Sequence, residues 1–201
     1  QIMPKLERSD LWSLEEYAEK RADFRSEVMQ HKRHRNLNLG EHMRLYFEDA
    51  KTIRYQVQEM LRIEKVFEAA GIQEELDAYN PLIPDGMNWK ATFMIEYPEI
   101  EERKQMLGKL IGVEDRVWMQ VEGFDRVWPI ADEDLERSTE EKTSSVHFMR
   151  WELEPSMIVA LKKGRSLFAG VEHENCHIDA IECSDPLRIS LTKDLKNIEI
   201  N

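Results

Sequence analysis

The densest run of ligand-type side chains is His173-Glu174-Asn175-Cys176-His177. With Glu174-Asn175 as a two-residue turn, His173 and Cys176 stand opposite each other on one side of a hairpin. Imidazole and thiolate suit zinc or iron, but a closed site takes three or four protein ligands. His147, on a neighbouring strand, is the candidate to complete the set. The plain alternative is a polar turn beside a half-buried cysteine.

A second constellation follows a long helix and the segment after it. Tyr55, Glu59 and Arg62 form a stripe at i, i+4 and i+7. Beyond them NPLIPDGMNWK, residues 80–90, is broken by Pro81, Pro84 and Gly86 and is expected to be a loop. A pocket between the 50–70 helix and this loop would suit a small enzyme acting on an anionic molecule. Glu59 would be the general base and Arg62 or Lys90 the anion holder, with Tyr55, Asn80, Asp85, Asn88 and Trp89 binding substrate. The plain alternative is an intrahelical Glu59–Arg62 ion pair and a loop held by Asn and Asp turn bonds.

Other chemistries lack their signatures. The eight glycines are scattered and make no phosphate loop. No Gly-x-Ser-x-Gly elbow marks a nucleophile. No helix carries the Glu-x-x-His of a carboxylate-bridged di-iron site. His31 and His34 sit in a basic run that would repel a cation and read as a solvated helix end.

A net charge of −12, from 40 acidic and 28 basic residues, disfavours nucleic acid and anionic membranes. No apolar run is long enough to span a bilayer, so membrane insertion is not expected. Gln1 to Asp10 lacks the apolar core of a secretory signal, and a cytoplasmic protein is expected. Cys176 and Cys183 do not suggest a disulfide framework and are expected as reduced thiols. A homodimer is the default assembly.

The elements that must position these residues follow from periodicity. Ser13, with Glu16 three residues on, starts a helix expected over 14–35, whose face includes Arg21 and Arg35. A short strand at 43–47 leads to a second helix, capped by Asp49 and running to about residue 70, where Gly71 stops it. A short helix at 72–79, a strand at 92–97 and a helix ending near Gly112 come next. The strand-rich remainder has a hairpin of 116–121 with 126–130, an acidic solvent-facing stretch at 132–142 and a strand at 146–153. A short helix opened by Pro155, a hairpin of 167–172 with 176–181 and a terminal helix from Pro186 follow. Helices first and antiparallel strands later make an α+β chain, with long N-terminal helices packed on a mainly antiparallel sheet. One domain over 1–201 is expected, with a possible subdivision near 115.

LWSLEEYAEKR (11–21), QVQEMLRIEKVFEAAGIQEELDAYNPLIPDGMNWKATFMIEY (56–97) and KTSSVHFMRWEL (142–153) together resemble an uncharacterised bacterial domain-of-unknown-function family. Members of that family are often encoded beside rubrerythrin and a heterodisulfide-reductase-like iron–sulfur protein. The resemblance therefore implies an accessory role as a binding partner of such a redox system, near oxidative stress. It assigns no residue a role. Three expectations stand: that docking role, the small enzyme, and a metalloprotein using His173, Cys176 and His147.

Overall fold

A computed structural model describes residues 5–199; Gln1–Pro4, part of the stretch read above for a secretory signal, lie outside it. Helix α1, Leu14–Lys32, starts where Ser13 Oγ accepts from the Glu16 amide (3.1 Å). It stops three residues before Arg35. Strands β1 (Asn36–Leu39) and β2 (Met43–Phe47) form an antiparallel hairpin around Gly40, whose φ of +71° the turn requires. The first of these strands was not foreseen.

Asp49 and Thr52 cap helix α2, Ala50–Glu64, reciprocally: each side chain accepts from the other's amide, at 3.0 and 2.9 Å. The helix stops at Lys65, which takes the left-handed conformation (φ +54°), so the expected run to residue 70 is corrected. Phe67 is solvent-exposed and Gly71 lies inside helix α3, Ala69–Tyr79. After a 3-10 turn at Asn80–Leu82 comes strand β3, Asn88–Ile95. The end of the expected loop, Asn88 to Lys90, is therefore strand.

Helix α4 covers Ile100–Lys109 and strand β4 Val117–Val121. The expected hairpin partner of β4 is replaced by a crossing. Val127 makes one isolated bridge to Met119, and β5, Ile130–Ala131, pairs with β6, Val146–Glu152, in another sheet. Helix α5 (Pro155–Lys162), strands β7 (Leu167–His173) and β8 (Cys176–Glu182) and helix α6 (Asp185–Lys193) complete the chain.

The fold is α+β. A five-stranded sheet ordered β1-β2-β3-β6-β5 and a three-stranded sheet ordered β4-β7-β8 are antiparallel throughout. Their facing sides share one apolar core, in which Leu45, Trp89 and Phe93 from the first half meet Met119, Trp151, Ala169 and Leu191 from the second. Helices α1 to α3 carry two smaller clusters, one around Ile53, Leu61 and Leu76 and one around Tyr17, Phe24 and Val28.

Arg35 does more than cover apolar surface with its stem. It is buried and donates to Asp194 at 2.5 and 3.1 Å and to the carbonyls of Phe47 and Glu48. Burial pushes the Asp194 carboxyl up to about 6 against the pull of Arg35. This pair ties the end of the chain to the start of the first sheet.

Candidate functional site

Strand β6 alternates, so His147, Met149 and Trp151 enter the core while Phe148 and Arg150 point to the opposite face. His147, with no exposed surface, is the one ionisable group in that inward series. Its Nδ1 lies 2.5 Å from Asp132 Oδ2. Its Nε2 lies 2.8 Å from the Ser144 carbonyl oxygen, 2.9 Å from Thr143 Oγ1 and 4.0 Å from Glu114 Oε2. Ser138 Oγ closes the ring, donating to Glu114 Oε1 at 2.5 Å and sitting 2.8 Å from Thr143 Oγ1.

Three elements deliver these groups. Glu114 comes from the 3-10 turn Val113–Asp115 before β4. Asp132 directly follows β5 with φ +52°, a conformation an Asp tolerates better than most residues. The local structure over-determines it: the Asp132 amide donates to the Phe148 carbonyl (2.8 Å) while its Oδ1 accepts from the Phe148 amide (3.1 Å) and from Arg137 (3.1 Å). Thr143 and Ser144 lie where the 132–144 segment returns into β6. The stretch expected to face solvent thus begins with a carboxylate whose side chain is only 8% exposed.

The proton count around His147 is informative. A carbonyl oxygen and a carboxylate only accept, so Ser144 O and Asp132 Oδ2 both want a positive partner on the ring. A neutral imidazole has one N–H. With that hydrogen on Nδ1, the Thr143 hydroxyl can serve a bare Nε2, but the Ser144 carbonyl faces a lone pair at 2.8 Å. Before His147 is counted, Glu114, Asp132, Asp134 and Arg137 carry a formal charge of −2. Positive charge is called for at Nε2, as a second proton or as a cation. Among the described residues, Glu114, Asp132 and His147 are the one set of three metal-capable side chains whose ligand atoms all lie within 4.8 Å of one another.

His173 and Cys176 are apart from this cluster. They are a directly opposed pair of the β7–β8 hairpin, around the expected Glu174-Asn175 turn. His173 Nδ1 accepts from the Asn175 amide, leaving Nε2 to donate to the Ile111 carbonyl at 2.8 Å. Both ring nitrogens are thereby used. Cys176 is half-buried, and burial pushes its thiol up, away from the thiolate a metal needs. The structure does not bring this pair together with His147.

The second constellation is also dispersed. Glu59 accepts from Arg21 at 2.7 and 2.9 Å and from Tyr17 at 2.8 Å, and pairs with Arg21 rather than Arg62. The Arg21 hydrogen bonds hold its carboxyl down to about 2, opposite to a poised general base. Tyr55 donates weakly to Glu59 (3.4 Å), and Arg62 is exposed. Asn80 clamps the Leu6 backbone from both sides, and Asp85 and Asn88 hold each other's turn, Asn88 also donating to Glu152. Trp89 is fully buried and donates to the Leu191 carbonyl (2.9 Å). His31, read as solvated, sits 2.5 Å from Asp49 Oδ2.

Of that set, Lys90 lines a cavity. A cleft of about 510 Å³ lies on the outward face of β3 and β6, between Lys90, Phe148 and Arg150 on one side and Tyr79, Pro81 and Leu82 on the other. Glu133 and Arg150, unmarked by any motif, meet there at 2.7 and 2.8 Å. Nothing in the linear sequence ties Glu114 or Asp132 to His147. The one available signal was His147 itself, an ionisable residue on the apolar face of a strand.

A family model described as a protein of unknown function, DUF3501, matches residues 5–195. The chain is similar to a protein of unknown function from Burkholderia pseudomallei K96243, whose crystal structure superposes with a TM-score of 0.92 at 48% identity. That similarity covers 96% of this chain and 100% of the other. No curated protein matches. No helix among the described residues is long and apolar enough to cross a membrane. The fold and the full-length match together place the chain in the DUF3501 family.

Proposed function

We propose that this chain is a metalloprotein holding one divalent cation, zinc or iron, at Nε2 of His147. Glu114 Oε2, the Ser144 carbonyl and Thr143 Oγ1 complete the set, and Asp132 is the outer partner that keeps the hydrogen on Nδ1. The single observation that carries the reading is that both ring nitrogens face acceptors, Nδ1 at 2.5 Å from Asp132 Oδ2 and Nε2 at 2.8 Å from the Ser144 carbonyl, which one neutral ring hydrogen does not satisfy. Donors about 3.0–3.4 Å apart are what bonds of about 2.1 Å to a common ion produce. Thr143 Oγ1 and Glu114 Oε2, 3.3 Å apart, meet that spacing, whereas Nε2, at 2.8 Å from Ser144 O, 2.9 Å from Thr143 Oγ1 and 4.0 Å from Glu114 Oε2, has to shift to join them on one ion. A carboxylate on the far nitrogen is the usual second-sphere support of a metal-bound histidine.

One nitrogen and oxygen donors without a thiolate suit a borderline or hard ion. Three of the four ligand residues are buried, His147 at 0%, Thr143 at 1% and Glu114 at 7% exposure, and Ser144 is half-buried, so the site has the closed character of structural centres. Its work would be to lock the turn before β4 and the 132–144 segment onto β6. Elemental analysis of protein purified without a metal-binding tag tests the reading, together with melting before and after chelation. Stoichiometric metal whose removal lowers Tm supports it. Metal-free protein whose Tm ignores added zinc and iron refutes it.

Docking on an iron–sulfur or rubrerythrin-type partner is a second proposal, supported here by the charge of −12, since such encounters are steered by complementary charge. Recovery of no redox protein at low ionic strength would count against it.

A further inference from the structure

The cleft on the outward face of β3 and β6 is separate from the buried cluster and from the metal reading. Its walls are mostly apolar: Tyr79, Pro81 and Leu82 face Phe148. At about 510 Å³ it falls within the roughly 300–1,000 Å³ of small-molecule sites. Its polar groups are unevenly paired. Arg150 is spoken for, donating to Glu133 at 2.7 and 2.8 Å and to Glu152 at 2.7 Å. Asp77 is an exposed lining residue and accepts from Gln73 (2.9 Å). Asp134 is paired with Arg137 at 2.7 Å.

Lys90 differs. Its amine donates to the Pro81 carbonyl at 2.6 Å, and no carboxylate lies within ion-pair distance among the described residues. A half-buried ammonium satisfied by one neutral carbonyl retains donors for another acceptor. Burial pushes Lys90 below its usual value, the Asp85 charge opposing and the Arg150 charge assisting. Beside the paired Arg150, Lys90 is the lining cation without a carboxylate partner among the described residues.

We infer that this cleft binds a small amphiphilic monocarboxylate, its apolar body between Tyr79 and Phe148 and its carboxylate on Lys90. A carboxylate is favoured over a phosphate because Arg150 is already held by Glu133 and Glu152, which leaves Lys90 as the one ammonium with free donors and offers a dianion no second cation. Neutral ligands would leave the Lys90 donors unused.

The test uses the whole chain with 1-anilinonaphthalene-8-sulfonate as a fluorescent anionic probe and octanoate as competitor. Saturable probe binding displaced by octanoate, at least 10-fold weaker displacement by octanol, and at least 10-fold loss of octanoate affinity in K90M are expected. K90R should keep most of the affinity. Affinity should also fall as pH rises far enough to discharge Lys90, a change a merely structural lysine would not produce. Equal displacement by octanoate and octanol, unchanged affinity in K90M, or no saturable binding would each overturn the inference. Should K90M fail to fold, L82W replaces it: filling the slot must abolish octanoate binding, and retained binding overturns the inference.

Discussion

Replacing Asp132 by Asn separates a metal site from a simple buried ion pair. Asp132 follows β5 at φ +52°, and Asn is among the few side chains that accept this backbone as readily. Size and shape are kept, so the amide oxygen can still accept from the Phe148 amide and Arg137, now at 3.1 Å each. The amide nitrogen then faces His147 Nδ1 and donates to it. That forces the hydrogen of the neutral ring onto Nε2, where it bonds the Ser144 carbonyl, 2.8 Å away. The metal-free protein therefore closes its hydrogen bonds and should lose little stability. Metal binding suffers, because the ligand nitrogen carries a proton and the supporting carboxylate is gone. Loss of such outer partners costs about 10–100-fold in affinity, or about 1.4–2.7 kcal/mol. Competition of zinc against a fluorescent chelator, wild type beside D132N, measures this directly. Equal zinc affinity in the two proteins would refute the assignment of Asp132 as the group that sets the tautomer.

Three further outcomes follow from the fold. Arg35→Met strands the Asp194 carboxylate in the core, also takes away a cation 3.5 Å from the buried Asp49, and should cost about 3–5 kcal/mol in denaturant melts, whereas R35M/D194L should recover the Asp194 share of it; an R35M loss under 1 kcal/mol would contradict the buried pairing. Glu59→Gln should flatten the acid limb of the stability curve. The folded Glu59 carboxyl, at about 2, lies below its unfolded value of about 4.3, so its stabilisation is present above that value and is lost as pH falls through about 2; an unaltered acid limb would show that the Arg21 contact does not form in solution. Gly170→Ala should destabilise by about 1–3 kcal/mol, since the added carbon would collide with the Trp118 ring and lie 2.8 Å from the Ile178 carbonyl oxygen; a neutral result would contradict the close packing of β4, β7 and β8 at this point.

Local rules were enough for most of the elements, though not for β1 or for the pairing of β5. Ser13 and Asp49 announced the caps of α1 and α2, and a strand was expected at 146–153, where β6 lies. The Glu174-Asn175 turn paired β7 with β8. Boundaries went astray where a residue took a conformation its type does not advertise. Lys65, at φ +54°, ends α2 although Gly71 looked like the stop. The crossing from β4 to β5 was hidden because Val127 does touch Met119 while Ile130 belongs to the other sheet. The site was less legible still. Glu59 was picked for its stripe, yet its partners Tyr17 and Arg21 lie on another helix. Asp132 and Glu114 are separated from His147 by 15 and 33 positions, and such pairs are set by tertiary packing rather than by any repeat in the chain.

The most direct test of the metal assignment is a long-range nitrogen–proton NMR spectrum of the imidazoles, recorded with and without one equivalent of zinc. The account predicts that His147 keeps its proton on Nδ1 and that its Nε2 resonance moves on addition of metal. A ring protonated on both nitrogens, unchanged by zinc, would make the cluster an imidazolium held between carboxylates and contradict the proposal.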